Sequence, residues 1–200
     1  MNSYFTIQNI EDILYKDKAS KFIGFAYSVK DEAEIKAKLE HLKHLHPKAT
    51  HHCYAYRLGL DKNNYRSNDD GEPAGTAGKP ILGQLDSFSV TNTLLVVVRY
   101  FGGTKLGVSG LIDAYKECAK QTLNATQIIE QKILDYYKMQ CDYSTVNKVY
   151  QVINNTKATI VDQQLDNQSY FIIAIEQDKK ESLEKKLTDE RIEYSFVERK

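Results

Sequence analysis

The chain has no tryptophan, two methionines and three prolines in 200 residues. Its three cysteines, Cys53, Cys118 and Cys141, are odd in number and form no Cys-x-x-Cys pair. They exclude a disulfide framework and read as reduced thiols of a cytoplasmic protein. No apolar run approaches the ~18–20 residues that span a bilayer. The opening residues, Met1-Asn2-Ser3-Tyr4-Phe5, lack the basic and apolar blocks of a targeting segment. A cytoplasmic protein without membrane contact is expected. Neither charge is in excess: Lys+Arg and Asp+Glu number 27 each, for a net charge of zero. That excludes bulk electrostatic binding to nucleic acid and leaves room only for a local basic patch, and no DNA specificity is evident. The 14 tyrosines read as compositional drift.

What is present is an ordinary soluble composition, 42% hydrophobic and 27% charged, enough for one large domain or two small ones. Residues 10–30 alternate as a strand with a polar break at 16–21. Asp31 opens a helix, with Glu34 completing a capping box. Ile35, Leu39 and Leu42 form one apolar stripe of that helix, and Pro47 ends it. Residues 51–60 read as a strand. Residues 61–80 hold few large apolar side chains and two of the three prolines, so they read as a long loop. A short helix is expected over 80–88, a strand buried on both faces over 93–99, and a helix over 108–124 with Leu111, Ala114, Tyr115, Cys118 and Thr122 inward. After Thr126 the order becomes strand 133–143, helix 144–154, strands 158–165 and 169–176 around an Asp166-Asn167-Gln168 turn, helix 179–189 and strand 191–198. This β-α-β-β-α-β order is the split βαβ pattern of ferredoxin-like domains. It places a domain boundary at 127–132, separating domains 1–128 and 133–200.

The densest signal is the buried strand that runs into Arg99, Tyr100, Phe101 and the loop Gly102-Gly103-Thr104-Lys105-Leu106-Gly107 before a helix. Strand, glycine loop and helix N-terminus together can cradle an anion. The spacing departs from a P-loop, because Val108 stands where GxxxxGK[ST] needs lysine. Lys105 supplies a substitute charge. Arg99 at the end of a buried strand needs a carboxylate or a ligand. Asp69, Asp70 or Glu72 can form a structural ion pair with it, or the group can be a binding site. A magnesium ion on Asp70 and Glu72 with a bound phosphate is a further reading. Residues 61–72 have the length of a calcium loop, but Tyr65 and Arg66 stand where an EF-hand needs an oxygen ligand and glycine. All five histidines lie within 41–52. His51 and His52 point to opposite faces of a strand, which argues against a shared metal. His51 and Cys53 share a face with parallel side chains, a poor nucleophile–base geometry.

Three ordered motifs carry a family resemblance. Thr50-His51-His52-Cys53-Tyr54-Ala55-Tyr56, the run from Asp69 through Glu72 to Pro80, and Val98-Arg99-Tyr100-Phe101-Gly102-Gly103-Thr104-Lys105-Leu106-Gly107 together resemble the YigZ/IMPACT family, as does Lys21-Phe22-Ile23. The resemblance implies an α+β protein with a ribosomal protein S5 domain 2-like amino-terminal domain. It implies a ferredoxin-like carboxy-terminal domain similar to the last domain of elongation factor G. It also implies translational control, which eukaryotic relatives exert by binding a partner of a stress kinase. The expected partners are the ribosome, RNA or a translation-associated protein, with no cofactor required. The expected binding surface comprises His51, Asp69, Asp70, Glu72, Arg99, Tyr100, Gly102, Gly103, Lys105 and Gly107. The alternative is a binding protein or enzyme for a phosphorylated small molecule or nucleotide at the Gly102–Gly107 loop, since S5-like folds also occur in small-molecule kinases with a different glycine motif.

Overall fold

The computed structural model describes residues 2–61, 63–166 and 169–200. The chain forms two compact units, Phe5–Glu130 and Gln131–Lys200, the latter joined by the residues through Tyr4. Each unit has its own sheet and apolar core, giving a two-domain α+β architecture. Along the first part of the chain run β1 (Ser3–Ile7), β2 (Ile10–Asp17), β3 (Ser20–Ser28), α1 (Glu32–Leu45), β4 (His51–Leu58), β5 (Asn64–Asn68), α2 (Gly78–Ser87), β6 (Thr93–Tyr100), α3 (Gly107–Ala125) and β7 (Ile128–Lys132). β1 pairs with β7, and the rest form an antiparallel sheet in the order β2-β3-β6-β4-β5.

The central strand β6 explains its own apolar run. Leu95 and Val97 meet Ile81, Leu85, Leu111 and Tyr115 on the α2/α3 face. Leu94, Val96 and Val98 meet Ile35 and Leu42 on the α1 face. With helices on both sides, every position is buried, at roughly 1.5–3 kcal/mol for each large side chain. α1 begins as its sequence predicts. Asp31 accepts from the Glu34 amide at 2.9 Å, while the Glu34 carboxylate reaches the Lys30 amide at 3.0 Å, one residue before the usual capping-box target.

Three expectations change. Residues 10–30 are a hairpin, not one strand, because the polar break is the β2–β3 turn with Lys18 at φ 49°. The loop expected over 61–80 contains β5, whose sequence Asn64-Tyr65-Arg66-Ser67-Asn68 carries no apolar face because it is an exposed edge strand. The boundary expected at 127–132 contains β7.

The second unit comprises β8 (Leu134–Cys141), α4 (Val146–Thr156), β9 (Thr159–Gln164), β10 (Ser169–Glu176), a short 3₁₀ turn, α5 (Lys180–Asp189) and β11 (Glu193–Arg199). The antiparallel order β11-β8-β10-β9 is the ferredoxin-like arrangement. Its core joins Tyr137, Met139, Val149, Ile153, Phe171, Ile173, Leu183 and Leu187. Asp135 is fully buried and held by the Arg199 guanidinium at 2.5 and 3.0 Å, which fastens the end of β11 to β8. β9 and β10 pair as expected, but Asn167 and Gln168 of the turn between them lie outside the described residues.

Candidate functional site

The segment between β5 and α2 folds around its own carboxylates. Asp69 accepts hydrogen bonds from the amides of Gly75 (2.9 Å), Ala77 (3.0 Å) and Gly78 (2.8 Å). It therefore caps the N-terminus of α2 from nine residues upstream. Burial raises its pKa, but the three amides outweigh burial and hold the carboxyl below its ordinary value. Asp70, at φ 43°, turns away, and its carboxylate accepts from the His52 amide at 2.6 Å. It lies in a cleft beside Leu39 and Lys43 of α1, on the opposite face of the sheet from Arg99. His52 shares that face, and burial lowers its pKa, with Asp70 opposing the shift and Lys43 and His46 reinforcing it.

Glu72 points the other way. Its Oε1 accepts from Arg99 Nη1 at 2.6 Å and from the Tyr115 hydroxyl at 2.8 Å. The Arg99 and Glu72 side chains are 5% and 4% exposed, so this is a buried ion pair. Arg99 Nη2 donates to Ser20 Oγ at 3.2 Å. Its guanidinium lies between the rings of Phe22 and Phe101, 5.4 Å from each centroid. Phe22 and His51 are the cross-strand partners of Arg99 on either side, and His51 Nε2 approaches Glu72 Oε1 at 3.7 Å. Behind Glu72 the chain of contacts continues from Tyr115 to Cys53 Sγ at 3.3 Å, and Cys53 also reaches the Asp69 carbonyl at 3.0 Å. Burial, then neighbouring Cys53 and Glu72, drive the Tyr115 pKa up, and burial drives the Cys53 thiol up. Both stay protonated, so Cys53 is no thiolate nucleophile.

The glycine loop forms the outer wall. Gly102 packs so closely on the β2–β3 turn that a Cβ there would stand 1.8 Å from the Ala19 carbonyl oxygen. Gly107 holds φ +79° where the loop enters α3. α3 starts at Leu106, which offers no side-chain cap, and without an acidic residue in its first turn. Between this loop, His51, Glu72 and Pro73 lies a recess of about 420 Å³, walled by Phe101, Leu106, Val108 and Leu111, with Arg99 and Lys105 contributing charge. Phe101 is 45% exposed and Val108 61%.

The ten expected residues thus separate. His51, Glu72, Arg99, Lys105 and Gly107 line one recess. Asp69 is spent on α2, Asp70 faces α1, and Tyr100, next in the strand after Arg99, points to the α1 face, where its hydroxyl meets His46 Nδ1 at 2.9 Å. Gly102 serves packing on Ala19, and Gly103 has open space on its side-chain side. Asp70 and Glu72 bond on opposite faces of the sheet, which separates the two carboxylates that the magnesium reading brings together. Among the described residues, no group of three or more His, Cys, Asp or Glu side chains is arranged to hold a metal ion. No helix among them is long and apolar enough to cross a membrane. Sequence reasoning missed the apolar walls. Val108 and Ile112 extend the inward stripe of α3 beyond what the core covers, which is the signal that could have found them.

The Impact N-terminal domain family matches residues 18–123. The IMPACT family member YvyE of Bacillus subtilis is 37% identical over 149 residues, covering 74% of this chain and 69% of that protein. The IMPACT family member YigZ of Escherichia coli is 34% identical over 160 residues, covering 79% of this chain and 78% of that one. A crystal structure of a hypothetical protein superposes with a TM-score of 0.80 at 30% identity, over 99% of this chain and 98% of the other. The buried Arg99–Glu72 pair and the recess in front of it lie within the matched residues, and the chain belongs to the IMPACT family.

Proposed function

We propose that this is a non-enzymatic binding protein of translational regulation, acting in the cytoplasm, which docks a translation-associated polypeptide at the recess before α3. The IMPACT membership supports the translational setting, since the family resemblance implies that role for its eukaryotic members. The observation that carries the docking is the recess itself. Its walls are apolar and open to solvent, while the strongest local cation, Arg99, is already neutralised by Glu72. Partly exposed aromatic and branched side chains around a few polar groups are features of protein contact surfaces. The same facts weigh against a phosphorylated small molecule or nucleotide at Gly102–Gly107. With Arg99 paired and Gly102 packed on Ala19, Lys105 is the one full positive charge on the loop. The zero net charge likewise weighs against direct RNA contact as the main source of affinity.

The test is a photo-crosslinking amino acid placed in vivo at Phe101 or Val108, with Tyr143 of the second unit, 89% exposed, as control. Cells are irradiated and fractionated on ribosome gradients at low and moderate salt. The expected result is a discrete protein adduct in ribosomal fractions from positions 101 and 108 and none from 143. Adducts to RNA, or none at either position, overturn the reading.

A further inference from the structure

We infer that the recess accepts from its partner an aromatic side chain that carries a hydrogen-bond donor, an indole or a phenol, with the donor on His51 Nε2 and the ring against Phe101, Val108 and Leu111. The inference rests on the docking reading above and specifies the chemistry of what docks.

The proton of the His51 ring has a definite place. Nδ1 stands 2.7 Å from the Asp70 carbonyl oxygen, which can only accept, so Nδ1 carries the hydrogen. The neutral ring then presents Nε2 as a bare acceptor. Its orientation is fixed from behind. Asp70 is itself held, by its carboxylate on the His52 amide and by its own amide, which donates to Asn68 Oδ1 at 2.7 Å. His51 lines the recess with its side chain 17% exposed. Nε2 takes no hydrogen bond within the chain and keeps contact with solvent. The carboxylate beside it offers no donor: Glu72 Oε1, 3.7 Å away, is an acceptor already serving Arg99 and Tyr115. The second oxygen of that carboxylate, Oε2, receives no hydrogen bond and also keeps contact with solvent. Two acceptors without donors therefore belong to residues of the recess wall.

These features define a complement. A phenyl or branched aliphatic side chain would cover Nε2 and leave it without a donor, which costs free energy. An ammonium or guanidinium brings donors, but it would lose its water among Phe101, Leu106, Val108 and Leu111 and would stand near Lys105. A serine or threonine hydroxyl brings a donor without the apolar surface to fill about 420 Å³. An indole or a phenol joins one donor to a large apolar ring. Rings of this kind anchor protein interfaces by filling pockets on the partner. A partner polypeptide thus meets the recess best with tryptophan or tyrosine.

The test begins with selection of random peptides displayed on phage against the full chain at pH 8, where an imidazole is ordinarily neutral. Winners are synthesised in pairs, with each tryptophan replaced by 1-methyltryptophan and each tyrosine by phenylalanine. Either change deletes one donor and keeps the ring. Binding is followed by titration and by the ring-nitrogen signals of the chain labelled with ¹⁵N-histidine. The expected result is enrichment of tryptophan or tyrosine, a loss of about tenfold in affinity when the donor is deleted, and a shift of the His51 Nε2 signal that only the donor-bearing peptide produces. Before any peptide is added, the His51 proton should be found on Nδ1. In His51→Ala the two forms of each peptide should bind alike, and the wild-type comparison stands by itself if that variant does not fold. Val108→Asp should abolish binding of both forms. Peptides that depend on Val108 but lack tryptophan and tyrosine, or bind equally with and without the donor, overturn this inference and leave the docking reading standing. A His51 proton on Nε2 in the free protein does the same. Binding indifferent to Val108→Asp, or no selected peptide, overturns both.

Discussion

Two loops meet at Arg99, and they treat their polar groups in opposite ways. In the segment 69–78 all three carboxylates are engaged within the molecule: Asp69 with α2, Asp70 with the His52 amide, Glu72 with Arg99 and Tyr115. The segment 101–108 gives the start of α3 no cap from Leu106 and leaves two apolar side chains, Phe101 and Val108, in water. Both loops lie within the residues that the Impact N-terminal domain family matches. Adjacency therefore does not mean similar use: the acidic loop spends its carboxylates inside the molecule, and the glycine loop leaves Phe101 exposed.

This contrast can be broken at measurable points. The largest effect is expected from Glu72→Ala, which leaves Arg99 buried without its counter-charge and should cost about 3–5 kcal/mol in a urea unfolding series. The double change Glu72→Leu with Arg99→Met should recover much of that loss. Equal loss in both would show that shape, not charge pairing, matters there. Gly102→Ala comes next. Its Cβ would collide with the Ala19 carbonyl, a backbone atom that cannot swing aside, at a cost of roughly 1–3 kcal/mol.

Asp69→Ala removes the acceptor of three amides and the cap of α2, and should cost about 1–2 kcal/mol near neutral pH. The pH dependence has a definite sign. Asp69 has a folded pKa below its ordinary 3.8, so its contribution is present above that value and fades as pH falls through the folded one. The stability gap between wild type and Asp69→Ala should therefore be constant near neutrality and close in acid. The smallest effect on stability belongs to Val108→Asp, within about 0.5 kcal/mol of wild type because the side chain is exposed and an acid suits a helix start. The same variant is expected to lose partner binding altogether, so stability and binding separate across the two loops.

Much of this was legible in sequence because it is local. The run Leu94 to Val98 marks the central strand, Asp31 and Glu34 mark the start of α1, and the glycines mark the turn into α3. Strand alternation alone separates Tyr100 from Arg99. What was not legible depends on how the 69–78 segment folds. Which acid meets Arg99 turns on the left-handed conformation of Asp70 and Gly71, which throws Asp70 and Glu72 to opposite faces. Asp69 as a cap for α2 spans nine residues, outside any capping-box pattern. β5 was missed because an exposed edge strand carries no apolar alternation.

The central claim is that the acidic loop satisfies its polar groups internally while the start of α3 takes no cap from Leu106, the residue before it. Amide hydrogen exchange in the isolated protein, resolved by residue, tests it most directly. The amides of Gly75, Ala77 and Gly78 should be protected by Asp69 and lose that protection in Asp69→Ala. Those of Gly107, Val108 and Ser109 should exchange near the rate of unstructured chain. Protection of Gly107 to Ser109 equal to that of Ala77 and Gly78 would contradict the account.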